Sequence, residues 1–182
     1  MSNAFLDAIQ LVRDAATRHH FRIALIGGFA LPFHGVRRAT GDVDFLVEAS
    51  GAEALDTALL AAGYEPLHRS DDAANYRGRG ALTGVDVLYA RRPPTLAMLD
   101  RATTPPGEAA VPVVDVEGLI GLKLQAIVND PTRCRQDEAD IVALLTMHLP
   151  SLDHALLAEY FALFDRHDDL GRFLAEARQR RG

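Results

Sequence analysis

The chain has 182 residues, 48% hydrophobic and 24% charged, the composition of an ordinary globular protein. A domain of this size buries roughly 70% of its unfolded surface, so it needs neither disulfides nor structural metal, and the lone Cys134 suits a reducing compartment. Nineteen basic against twenty-five acidic side chains leave a net charge of -6, which argues against a broad basic surface coating nucleic acid but not against a small pocket for phosphate.

The longest uncharged run, Ile23 to Val36, is too short for the roughly 20 residues that cross a bilayer, so no membrane association is expected. Asp7 and Arg13 interrupt what would be the apolar part of a signal peptide. Phe5, Ile9, Val12 and Ala16 recur instead at helical spacing, which predicts an amphipathic helix from about Ala4 to His19 with Asn3 as its cap. The cytoplasm is the expected address.

Arg22 to Ile26 reads as a buried strand stopped by Gly27 and Gly28, with a brief helix through Ala30 to His34. Asp42 to Val47 is a second strand, and Ala52 to Ala62 a helix closed by Gly63. Strands are expected over 65–68, 74–77 and 84–89, then a helix over Pro93 to Arg101. Thr103 to Pro112 is the linker candidate, because it holds three prolines and a glycine. Beyond it the pattern is helical: Asp115 caps a helix to about Asn129, and others cover 135–149, 152–165 and 170–180. The expected fold is α+β, a mixed sheet flanked by helices followed by a C-terminal helical appendage, with a strand-and-helix lobe at 1–114 and a helical region at 115–182.

Asp42 and Asp44 lie two apart on a strand, so both leave one face while Val43, Phe45 and Val47 point to the other. Asp86 interrupts another apolar strand as Val85-Asp86-Val87. If the two strands are neighbours, three carboxylates converge, and such hard oxygen donors select Mg²⁺ or Mn²⁺ over zinc. That cluster suits phosphoryl or nucleotidyl transfer, where charge on the attacking and leaving oxygens must be neutralised. Gly27 and Gly28 let backbone N–H groups approach a triphosphate, and Arg37, Arg38 and Thr40 can donate to it. Taken singly, Asp-x-Asp is also a turn or cap feature and Gly-Gly also a plain turn. Their joint order favours an active site: strand, Gly-Gly, thirteen residues, Asp-apolar-Asp, then an isolated Asp about forty residues on.

The run Leu25-Ile26-Gly27-Gly28-Phe29-Ala30, then His34-Gly35, Arg38-Ala39-Thr40 and Asp42-Val43-Asp44, resembles the signature of polymerase-β-like nucleotidyltransferases. Within them it is similar to the AbiEii group of abortive-infection and toxin–antitoxin enzymes. Leu119 to Ala126, followed by Arg133, Asp137, Asp140 and Ile141, is similar to that group's helical motif. The resemblance implies a metal triad of Asp42, Asp44 and Asp86, with Asp86 acting on the acceptor hydroxyl. It also implies a nucleotide site drawing on Gly27, Gly28, Arg38, Thr40 and Lys123, with His34 and Asp137 in support. Gly28 stands where many relatives carry serine, and Gln136 where many carry a basic residue. For Lys123, which shares a stripe with Leu119, Ile120 and Ile127, two readings stand side by side: a buried ion pair with Asp137, or a reach to the triphosphate. For His34, a structural hydrogen bond bracing the loop is preferred to catalysis.

The implied activity is Mg²⁺-dependent transfer of a nucleoside monophosphate from an NTP to tRNA or protein, by a toxin-like enzyme with an antitoxin partner. The alternatives are an antibiotic-modifying nucleotidyltransferase of aminoglycoside or lincosamide type, and a non-catalytic nucleotide-binding module of the same fold.

Overall fold

The computed structural model describes residues 3–106 and 110–181. Residues Met1–Ala30 with Arg38–Val114 form one compact unit, and Leu31–Arg37 with Asp115–Gly182 a second.

In the first unit, α1 (Asn3–His19) ends where His20 takes a left-handed backbone with φ 58°, which a helix cannot continue. The cap expected from the Asn3 side chain lies outside the described residues. β1 (Ile23–Ile26) is buried along its whole length and runs into a single helical turn, α2 (Gly27–Ala30). β2 (Asp42–Glu48) is followed by α3 (Ala52–Ala61), which stops where Gly63 adopts φ 91°. Then come β3 (Glu65–Arg69), β4 (Ala73–Arg77), β5 (Gly84–Ala90) and α4 (Pro93–Arg101). The five strands form one sheet in the order β1-β2-β5-β4-β3, parallel only between β2 and β5. Helices α1 and α4 pack on this sheet. Val43, Phe45, Val47, Val85 and Val87 alternate into the core at no more than 3% exposure apart from the carboxylates between them. Each large side chain so buried contributes roughly 1.5–3 kcal/mol.

The two ends of the 103–112 stretch are tied down; Gly107, Glu108 and Ala109 lie outside the described residues. Thr103 and Val113 exchange backbone hydrogen bonds of 3.1 and 2.8 Å, and Leu25 donates to the Pro112 carbonyl at 2.7 Å. Proline lacks the N–H but keeps the acceptor, so Pro112 covers the outer edge of β1 instead of breaking away from it.

In the second unit, Leu31–His34 forms a 3₁₀ turn, so the expected helix through Ala30 to His34 is two short pieces. Helix α5 (Val116–Asn129) is capped by Asp115, which accepts from the Gly118 N–H at 2.8 Å. It packs against α6 (Cys134–His148) and α7 (His154–Leu163), and α8 (His167–Arg181) packs on α6 and α7. Leu119, Ile120, Leu124, Ile141, Leu144, Leu145 and Phe161 fill this core. α7 starts two residues later than expected, because Asp153 caps it by accepting from the Ala155 and Leu156 N–H groups. Among the described residues no helix is long and apolar enough to cross a membrane.

Candidate active site

The parallel β2–β5 pairing sets Asp44 directly opposite Asp86, with Asp42 opposite Gly84. Because strand side chains alternate, all three carboxylates belong to the half-exposed face, while Val43, Phe45, Val85 and Val87 belong to the other. Like charges opposite each other destabilise a sheet, so this placement costs stability and points to use. Two glycines make room for it. A β-carbon at Gly27 would stand 2.2 Å from Asp44 Oδ2, and one at Gly84 would stand 2.2 Å from Asp42 Oδ1. Gly27 also has φ 64°, a conformation open to glycine without strain.

Gly28, Arg38 and Thr40 also come together. A β-carbon on Gly28 would lie 3.1 Å from Thr40 Oγ1 and 3.5 Å from an Arg38 guanidinium nitrogen. Thr40 donates to the Asp42 carbonyl at 3.3 Å, and Thr83 to the Gly41 carbonyl at 2.7 Å, which pins the approach to β2. The helix behind the glycines is only one turn long, so individual backbone N–H groups rather than a long helix dipole are what this turn offers an anion.

On the other side of the carboxylates, an open pocket of about 460 Å³ is lined by Asp42 and Asp86 with Asn75, Leu67 and His68. Asn75 pairs with Asp86 in the β4–β5 register and donates from Nδ2 to Asp86 Oδ1 at 2.7 Å. Tyr76 reaches past the sheet to donate to Asp56 at 2.7 Å, and burial, then this bond, push its phenol pKa far up. At the rim, Glu65 accepts from Arg79 and Arg77, which hold its carboxyl down at about 2. Those two arginines are thereby tied to a structural partner.

Among the described residues no three His, Cys, Asp or Glu side chains are gathered as a ready metal cage. The donor set still fits a hard divalent cation. Three carboxylates share one sheet face with glycine on either side where a β-carbon would intrude on them, and no soft nitrogen or sulfur ligand is among them.

Within the second unit, Lys123 Nζ lies 3.0 Å from Asp137 Oδ1 and 2.6 Å from Asp140 Oδ2, with all three side chains no more than 10% exposed. Arg133 Nε, 3.4 Å from Asp137 Oδ2, supplies a second countercharge. The ion-pair reading of Lys123 therefore describes its packing, with one more acid than the sequence reading assigned. Asp140 was legible: it lies three residues beyond Asp137, on the same helix face. His34 offers its backbone carbonyl to His148 Nε2 at 2.9 Å, and the two rings meet edge-on. Asn75 was missed. Its signal was a lone amide on a strand of β4 type, where asparagine is disfavoured unless its side chain is needed.

Residues 10–181 match the protein family described as nucleotidyl transferase AbiEii toxin, type IV TA system. No curated protein matches the chain. Among solved structures, that of the antibiotic-resistance factor ANT(2'')-Ia in solution has a TM-score of 0.63 at 15% identity, covering 94% of this chain and 97% of that one. The antigenic nucleotidyltransferase-like protein from Paracoccidioides brasiliensis has a TM-score of 0.56 at 19% identity, covering 96% of this chain and 94% of that one. These likenesses establish a shared polymerase-β-like fold. With that fold, and with the family match over nearly its whole length, the chain belongs to the AbiEii nucleotidyltransferase family and is a nucleotidyltransferase.

Proposed function

We propose that this chain is a toxin-type enzyme that moves a nucleoside monophosphate from an NTP to a hydroxyl of tRNA or of a protein and is restrained by an antitoxin partner. The observation that carries the reading is the Asp44–Asp86 register, with Asp42 on the same face. Asp42, Asp44 and Asp86 would hold Mg²⁺ or Mn²⁺, which when bound would supply neutralisation of the charge that develops on the reacting oxygens. Gly27 and Gly28 present backbone N–H groups to the triphosphate, and Arg38 and Thr40 donate to it. The resemblance adds Lys123 to that set, with His34 and Asp137 as supports. The acceptor oxygen forms a bond to the α-phosphorus, the bond from that phosphorus to the bridging β-oxygen breaks, and pyrophosphate leaves. The acceptor's proton passes to Asp86.

A second reading, modification of an aminoglycoside-type antibiotic, draws on the ANT(2'')-Ia neighbour, which has been solved in complex with adenylyl-2''-tobramycin. One experiment separates the two. The protein is incubated with α-labelled NTPs and Mg²⁺ together with total tRNA, cell protein or aminoglycosides, and is expressed in cells with and without the neighbouring gene. Labelled tRNA or protein, with growth arrest relieved by the neighbour, supports the toxin reading. Labelled drug with raised tolerance and no arrest supports the second. If no acceptor is labelled and Asp44→Ala arrests growth as the wild type does, both are wrong.

A further inference from the structure

Asn75 sits in the middle of β4 between Ala74 and Tyr76. Asparagine is depleted in strands because it offers the backbone competing hydrogen bonds and packs poorly on a pleated surface. Its presence there is explained by what its side chain reaches. Asn75 pairs with Asp86 across the β4–β5 ladder, and its amide lies 2.7 Å from Asp86 Oδ1. A carboxylate only accepts, so the amide must present its NH₂ to Asp86.

Asp86 is flanked by two different neighbours at the same level of the sheet: Asp44 on β2, which carries its own charge, and Asn75 on β4, which donates to it. The donor holds one oxygen towards β4, on the side where Asp42, Asp86 and Asn75 line the pocket with Leu67 and His68. The glycine turn abuts Asp44 on the opposite, β1 side. The sheet order thus separates the turn from the pocket, with the carboxylates between them.

We infer that Asn75 is a positioning residue, which fixes the Asp86 carboxylate at the mouth of this pocket, and that the pocket receives the hydroxyl-bearing end of the acceptor. The inference rests on the reading of Asp86 given under the proposed function. Asn75 makes no bond to the reacting atoms. It acts by keeping Asp86 in the one rotamer that serves both cation and acceptor hydroxyl, where a misplacement of about 1 Å costs on the order of 10²-fold in rate.

The test compares Asn75→Leu, which keeps the volume without the donor, Asn75→Thr, which suits a strand but is too short to reach, and Asn75→His, whose Nδ1–H stands where the amide nitrogen does. Two readouts are taken: Mn²⁺ titration in the presence of ATP, which needs no acceptor, and NTP-dependent labelling of total tRNA. The expected result is a five- to tenfold weaker Mn²⁺ affinity and a 10- to 100-fold lower kcat for the Leu and Thr variants. Their KM for NTP stays within twofold of wild type, and Asn75→His recovers most of both losses. Wild-type Mn²⁺ affinity in whichever of the Leu and Thr variants folds, or no recovery by Asn75→His, overturns the inference. A wild type that binds Mn²⁺ and ATP but labels no acceptor fails the proposed function instead and leaves the Mn²⁺ comparison to decide Asn75.

Discussion

Gly27 lies against Asp44 so closely that a β-carbon at position 27 would stand 2.2 Å from the carboxylate oxygen. The first glycine of the turn and the second acid of the Asp-x-Asp pair, far apart in sequence, are thus packed directly against each other. Gly27→Ala carries two penalties: the φ of 64°, worth about 1–2 kcal/mol for an alanine, and the displacement of Asp44. Its loss of transfer activity should far exceed its loss of stability. Paired measurements of urea unfolding and NTP-dependent labelling check this, and an alanine variant with wild-type rate would separate Gly27 from the site.

Asp44 and Asp86 repel each other across β2 and β5. Asp44→Asn should therefore leave the fold intact and raise stability by a few tenths to about 1 kcal/mol, while lowering transfer by roughly 10²–10³-fold, as loss of one preorganised electrostatic group does. Opposite movement of melting temperature and rate is the signature to look for. A variant that loses both would mark Asp44 as structural.

Lys123 bridges two buried carboxylates, Asp137 and Asp140. Lys123→Met removes the shared countercharge of the buried Asp137 and Asp140, and should cost about 3–5 kcal/mol. Lys123→Met combined with Asp140→Leu should recover part of that loss, because Asp137 then keeps Arg133 as its countercharge. Chemical denaturation of the three proteins decides it, and additive losses would sink the triad reading.

Strong acid should remove the stabilisation that Glu65 gains from its two arginines. The Arg79 and Arg77 hydrogen bonds lower the Glu65 pKa from 4.5 to about 2. A lowered pKa means the unfolded chain takes up protons first as pH falls. The contribution of Glu65 is thus fully present above about pH 4.5 and fades as pH drops through about 2. Glu48, lowered mainly by its hydrogen bond from Arg22, behaves in the same sense. Stability curves of the wild type and Glu65→Gln should differ slightly at pH 7 and converge towards pH 2, the difference being small because the pair is exposed. Curves that diverge on acidification contradict the assignment.

Much of this protein is legible in one dimension because the determinants are local. Alternation around Val43, Phe45, Val85 and Val87 marks β2 and β5, Gly63 ends α3, and the Asp115 side chain starts α5, each through interactions spanning a few residues. The Asp-x-Asp spacing is local too, so the shared face of Asp42 and Asp44 follows from strand geometry alone. What the chain order does not carry is which strands are neighbours. Only the sheet sets Asp86 beside Asp44 and Asn75 beside Asp86, and only there does Pro112, in a stretch that reads as linker, turn out to close the edge of β1. The same holds for Asp140, whose helix face is legible but whose claim on Lys123 depends on how α6 packs on α5. Local periodicity determined the elements and the candidate acids. Register and packing, which depend on long-range contacts, decided which of them meet.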